Sequence, residues 1–147
     1  MKEVLIYIDG GSRGNPGKAA AGAVFVNEKG QQIKKYSEYL GDYLTNNEAE
    51  YKSCIFALNK FKALFGKKLT KNTTIEIRSD SELLVKQLSG NYKVLDPKIQ
   101  LLFLEVWNLR FDFKKLRFKL IPREKNKEAD LLVNEVLDSQ ESTKKLF

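Results

Sequence analysis

The 147-residue chain contains no histidine, which removes His-based catalytic triads and His-ligated zinc from consideration. It has a single cysteine, Cys54, so it can form no internal disulfide and cannot build a cysteine zinc site unaided. Any resident metal must therefore be held by oxygen. Long apolar runs are missing too: no stretch approaches the ~18 apolar residues of a membrane span, and the run Val4 to Ile8 is too short for a signal peptide and ends at Asp9. These absences predict a cytoplasmic protein with no membrane partner and a buried Cys54 thiol.

What remains is ample for a folded domain. A composition that is 42% hydrophobic and 11% aromatic can bury a sizeable core in one compact domain, expected over residues 1–138, with a polar tail over 139–147. Lys and Arg number 26 against 19 Asp and Glu, giving +7, so a large anionic partner is expected, nucleic acid first. The runs Lys67-Lys68 and Lys114-Lys115 read equally well as solvated surface.

Along the chain, Val4 to Ile8 reads as a central strand covered on both faces, ending at Asp9-Gly10-Gly11. Ala21 to Val26, a turn over Asn27 to Gly30, and Gln31 to Leu40 continue it as an antiparallel hairpin. Thr45 to Phe65 carries Tyr51, Cys54, Leu58, Phe61 and Phe65 at helical spacing, and Thr45 with Glu48 forms a capping box. A strand follows over Thr73 to Ser79, then a short helix from Ser81 to Leu88. Asp96-Pro97 opens another helix, Leu116 to Ile121 forms a fifth strand, and Asn126 to Leu137 forms the last helix. This order predicts an α/β fold: a five-stranded mixed sheet, its first three strands antiparallel and the later ones parallel, flanked by helices.

Four acids fall at the boundaries of separate elements: Asp9, Glu50, Asp80 and Asp130. Carboxylates so far apart in sequence meet only by folding, and two of them ~4 Å apart repel by about 4 kcal/mol at an effective dielectric of 20. A hard cation such as Mg²⁺ removes that repulsion. Each acid also has a plainer reading, Asp9 as a turn residue and Asp80 and Asp130 as helix N-terminal residues. Glu50 is harder to dismiss, because at ~100° per residue it lies about 20° from Phe61, at the border of the buried face.

The segments YIDGGSRGNPG, TNNEAEY, SDSELL and NKEAD, in that order, resemble the ribonuclease HI family from about Ile6 to Leu137. The resemblance implies a ribonuclease H-like fold and an endonuclease that cuts the RNA strand of RNA/DNA hybrids, leaving 5′-phosphate and 3′-hydroxyl ends. It implies that Asp9, Glu50, Asp80 and Asp130 are both catalytic and metal-binding, with two Mg²⁺ ions for which Mn²⁺ can substitute. Gly10, Gly11, Ser12, Asn15, Asn46 and Asn47 match positions that line the hybrid, as suits contacts to 2′-hydroxyls in a shallow minor groove. Thr45 matches a residue near a pocket for a DNA-strand phosphate. The expected form is a monomer.

Two departures stand out. Many relatives carry a histidine on the loop before the last carboxylate, where PREKNKEAD has none, and many carry a basic protrusion where Gly90 to Lys98 offers only Lys93 and Lys98. The second leaves duplex RNA open as a partner beside the hybrid. A catalytically silent hybrid-binding module and a DNA nuclease of the same fold are the competing readings. The retained acids disfavour the first and the asparagine and glycine motifs the second. Trp107, Phe103, Phe111 and Phe113 could stack on bases, but their helical spacing is the spacing of core residues.

Overall fold

The computed structural model describes residues 2–146, with side chains through 141. Met1 and Phe147, the outer ends of the expected domain and tail, lie outside the described residues. Five strands form one sheet: β1 (Glu3–Arg13), β2 (Gly17–Asn27), β3 (Gln32–Leu44), β4 (Thr74–Ser79) and β5 (Lys115–Leu120). Their spatial order is β3-β2-β1-β4-β5. The first three pair antiparallel, and β4 runs parallel to both β1 and β5, as expected from the sequence.

Four helices flank the sheet: α1 (Asn46–Lys71), α2 (Glu82–Leu88), α3 (Pro97–Leu109) and α4 (Lys127–Leu146). One face of the sheet is sealed by α1 and α3, where Ile6, Ile8, Phe25, Ile75 and Ile77 pack with Tyr51, Leu58, Phe61 and Val106. The opposite face is covered by α4 through Ala20 with Val133 and Leu137, and through Val24 with Ala129 and Leu132.

Two glycines set how closely the helices approach the sheet. A Cβ on Gly10 would lie 2.2 Å from the carbonyl oxygen of Ala49, and one on Gly22 would lie 2.6 Å from that of Ala129. The bare backbone of β1 and β2 thus lets the start of α1 press on one face and the start of α4 on the other. Both contacts meet at Asp9, whose register partner is Gly22.

Three boundaries differ from the sequence reading. β1 does not stop at Asp9 but continues to Arg13, because Gly10 and Gly11 pair with Ala21 and Ala20 rather than turning. The helix of α1 breaks at Gly66 (φ 80°, ψ 170°), one residue after the expected end at Phe65, and a further helical turn reaches Lys71. The expected tail over 139–147 is helical as far as Leu146. Arg13 anchors that extension by ion pairs to Asp138 (2.7 Å) and Glu141 (2.8 Å).

Candidate active site

Asp9, Glu50 and Asp80 each place a carboxylate oxygen within 4.8 Å of the others. Asp9 lies inside β1, so the turn-residue reading fails for it. Asp80 directly follows β4 and precedes Ser81, the residue that caps α2 by accepting the N–H of Leu84. Glu50 comes from the start of α1, pressed onto Gly10. Asp130, on the first turn of α4, lines the same cleft and its charge bears on Asp9, which closes the set from the opposite face of the sheet. The four acids share an open cleft of about 610 Å³ with Gly10, Gly11, Asn15, Asn46 and Asn47.

Crowding and burial disfavour charge here. The Asp9 carboxyl is pushed up to about 8, first by burial, then by the charge of Asp80 and by the hydrogen bond and charge of Asp130, with the Gly10 N–H working the other way. Glu50 is raised well above the usual carboxylate range, again by burial first and then by Asp9 and Asp80. Among the described residues, three buried side-chain oxygens have no hydrogen-bond partner: Asn47 Oδ1, Glu50 Oε2 and Asn126 Oδ1. All three belong to residues that line the cleft or touch its acids. Such oxygens are costly to bury unless something electropositive faces them.

Glu48 and Glu50 have separate tasks. Glu48 Oε1 accepts the Thr45 N–H at 3.2 Å and the Thr45 hydroxyl at 3.1 Å, while the Glu48 N–H donates to Thr45 Oγ1 at 3.1 Å. The capping box therefore holds Glu48 away from the cleft. The rim beside it is tied together by amides: Asn46 Oδ1 accepts the Ser12 N–H at 2.9 Å, and Asn15 Oδ1 accepts the Asn46 N–H at 3.0 Å. The expected Ser12, Asn15 and Asn46 thus join the β1–β2 turn to the start of α1.

Two residues escaped the sequence reading. Asn126 is buried, and its Nδ2 donates to the Ile8 carbonyl at 2.8 Å and approaches Asp80 Oδ1 at 3.4 Å, so one amide spans β1, β4 and the start of α4. Arg123 lies on the loop before α4, its Nε 3.6 Å from Asp80 Oδ2 and its side chain almost wholly exposed. An asparagine before a helix carries the same sequence signature whether it caps or bridges, so the sequence does not mark Asn126. The aromatic set divides: Phe113 is buried and Phe103 packs on the core, whereas Trp107 and Phe111 are exposed, far from the cleft.

Residues 7–136 match the family described as reverse transcriptase-like. The chain is 39% identical to a ribonuclease HI of Halobacterium salinarum, over 92% of this chain and 64% of that protein. It is 34% identical to a bifunctional protein of Mycobacterium tuberculosis, over 93% of this chain but 36% of the other. The chain therefore spans about a third of the length of the mycobacterial relatives it matches. The structure of LC11-RNase H1 in complex with an RNA/DNA hybrid superposes with a TM-score of 0.87 at 43% identity, covering 93% of this chain and 98% of that one.

Proposed function

This chain belongs to the ribonuclease H family, and we propose that it hydrolyses the RNA strand of RNA/DNA hybrids, leaving 5′-phosphate and 3′-hydroxyl ends. The observation that carries the proposal is the cluster itself: the carboxylates of Asp9, Glu50 and Asp80 within 4.8 Å, with Asp130 lining the same cleft. An all-oxygen donor set with an unpartnered buried oxygen on Glu50 fits a hard divalent cation. Asp9, Glu50, Asp80 and Asp130 would hold two such ions, Mg²⁺ or in its place Mn²⁺. Bound there, divalent ions supply Lewis-acid stabilisation to the attacking and departing oxygens of an in-line displacement at phosphorus.

The protein's own groups do the rest. Asp9 and Asp80 lie just beyond the last parallel pair of β1 with β4, Tyr7 with Arg78, where parallel strands open to ligands. Gly10 and Gly11 line the cleft beside the acids, and the missing Gly10 side chain lets α1 bring Glu50 against Asp9. Asn15 and Asn46 use their carbonyl oxygens on the scaffold, which leaves their amide NH₂ groups as donors to 2′-hydroxyls and sugars. Ser12, Asn47 and Thr45 extend that rim. Arg123, on its exposed loop, supplies a cation beside Asp80 that can meet a phosphate. The fully buried, lone Cys54 suits a reducing, cytoplasmic setting, and the working unit is taken as a monomer. Among the described residues no helix is long and apolar enough to cross a membrane.

The test is a labelled RNA strand paired with DNA, beside matched RNA and DNA duplexes, incubated with Mg²⁺. Cleavage confined to the RNA of the hybrid supports the proposal. Preferential cleavage of the DNA duplex, or binding without cleavage, rejects it.

A further inference from the structure

A second feature lies at the opposite end of the molecule and plays no part in the site above. Asp9 lies just past the last parallel pair of β1 with β4, Tyr7 with Arg78, and Asp80 directly follows β4, whereas Thr73 and Lys114 immediately precede β4 and β5, a strand length of about 20 Å away. There the break at Gly66 redirects the last turn of α1, and Lys67, Lys68 and Lys71 line a cleft of about 510 Å³ together with Phe111. Lys71 Nζ donates to the Phe111 carbonyl at 3.2 Å, and the Lys114 N–H donates to the Thr73 carbonyl at 3.1 Å. Both lysine runs of the sequence thus converge on one end. Among the described residues the only acid lining this cleft, Asp112, is already paired with Lys62 at 2.6 Å.

Aromatic surface is interleaved with this charge. Phe111 is 60% and Trp107 44% exposed, with ring centroids 6.0 Å apart. The Arg110 guanidinium lies 4.4 Å from the Trp107 ring and 5.9 Å from the Phe111 ring. Exposed aromatics flanked by unneutralised lysines are the two components of a surface for unpaired nucleotides: ring faces for bases and ammonium groups for phosphates. A duplex has its bases stacked internally and could use only the charge.

We propose that this end of the molecule docks single-stranded nucleic acid, with bases stacking on Trp107 and Phe111 and phosphates held by Lys67, Lys68 and Lys71. The surface does not depend on the carboxylate cluster or on a divalent ion. It would let the protein hold an unpaired strand at one end while the cleft at the other engages a duplex.

Trp107 is the only tryptophan, so its emission reports on this surface alone. Oligodeoxythymidylate titrated into the full chain in chelator should quench that emission saturably, and added salt should reverse the quenching. Charge reversal at all three positions (Lys67→Glu, Lys68→Glu, Lys71→Glu) should weaken binding at least about tenfold. Phe111→Ala should weaken it at least about fivefold. Circular dichroism and melting would confirm that each variant folds, and the wild-type quenching stands without them. The proposal is overturned if the wild-type emission does not change, whether or not the anisotropy of a labelled oligonucleotide shows binding elsewhere. It is also overturned if folded variants bind as the wild type does, or if vesicles containing phosphatidylserine shift the emission while the oligonucleotide does not.

Discussion

Gly10 and Ala49 touch backbone to backbone: a methyl group on Gly10 would fall 2.2 Å from the Ala49 carbonyl oxygen, inside any permitted contact. Neither partner yields without cost, since one is a central strand and the other the first turn of α1. Gly10→Ala should therefore lift the start of α1 and carry Glu50 away from Asp9. The expected result is a loss of a few kcal/mol in stability, in the range of core overpacking, with hybrid cleavage falling further than stability alone explains. A folded Gly10→Ala of wild-type activity would show that this contact does not set the site.

Glu48 and Glu50 make a paired test on one helix. Glu48→Gln keeps an acceptor for the Thr45 N–H at the same position of the capping box and should retain activity while lowering the melting temperature at most slightly. Glu50→Gln removes a buried carboxylate with an unpartnered oxygen. It should abolish most Mg²⁺-dependent cleavage and leave the metal-free melting temperature unchanged or higher. An active Glu50→Gln beside a folded, inactive Glu48→Gln would reverse the assignment.

The raised Asp9 carboxyl makes metal-free stability depend on pH in a known direction. Its folded value of about 8 lies above the unfolded value near 3.9, so between them the folded state holds a proton that the unfolded state lacks. That contribution is complete below about pH 4 and is lost as pH rises through about 8. Asp9→Asn lacks it. In chelator, the variant's melting temperature should exceed the wild type's by a margin that widens from pH 5 to pH 8. A margin independent of pH would mean that Asp9 is charged throughout.

Asn126 should act through Asp80. Asn126→Asp keeps the shape but replaces the donor facing the Ile8 carbonyl and Asp80 with an acceptor, and Asn126→Ala leaves that carbonyl unpaired, at about 1–3 kcal/mol. Both should raise the Mg²⁺ concentration needed for half-maximal activity. An unchanged Mg²⁺ dependence in a destabilised protein would confine Asn126 to a structural role.

Most of the fold could be read from the residues, because period-two and helical patterns, the Thr45 and Asp96 caps and the Asn27–Gly30 turn each act locally. Where the reading missed, a long-range contact decided. Gly10 and Gly11 look like a turn until Ala20 and Ala21 pair with them, and the polar stretch after Leu137 looks loose until Arg13 reaches Asp138 and Glu141. The four acids stand out in the sequence as a set, whereas their geometry does not: Asp130 lines the cleft outside the tight group of three. Trp107 and Phe111 have core spacing, yet α3 is covered on one side only, and no periodicity could show which side.

The proposed site is tested most directly by cleavage of an RNA/DNA hybrid by wild-type protein and folded Asp9→Asn across a Mg²⁺ titration. The wild type should cut only the RNA strand, fall silent in chelator and recover with Mg²⁺. Asp9→Asn should be slower by several kcal/mol of barrier, at least about a thousandfold, at every Mg²⁺ concentration. Undiminished cleavage in chelator, or wild-type rates from folded Asp9→Asn, would contradict the assignment of the carboxylate cluster as the catalytic centre.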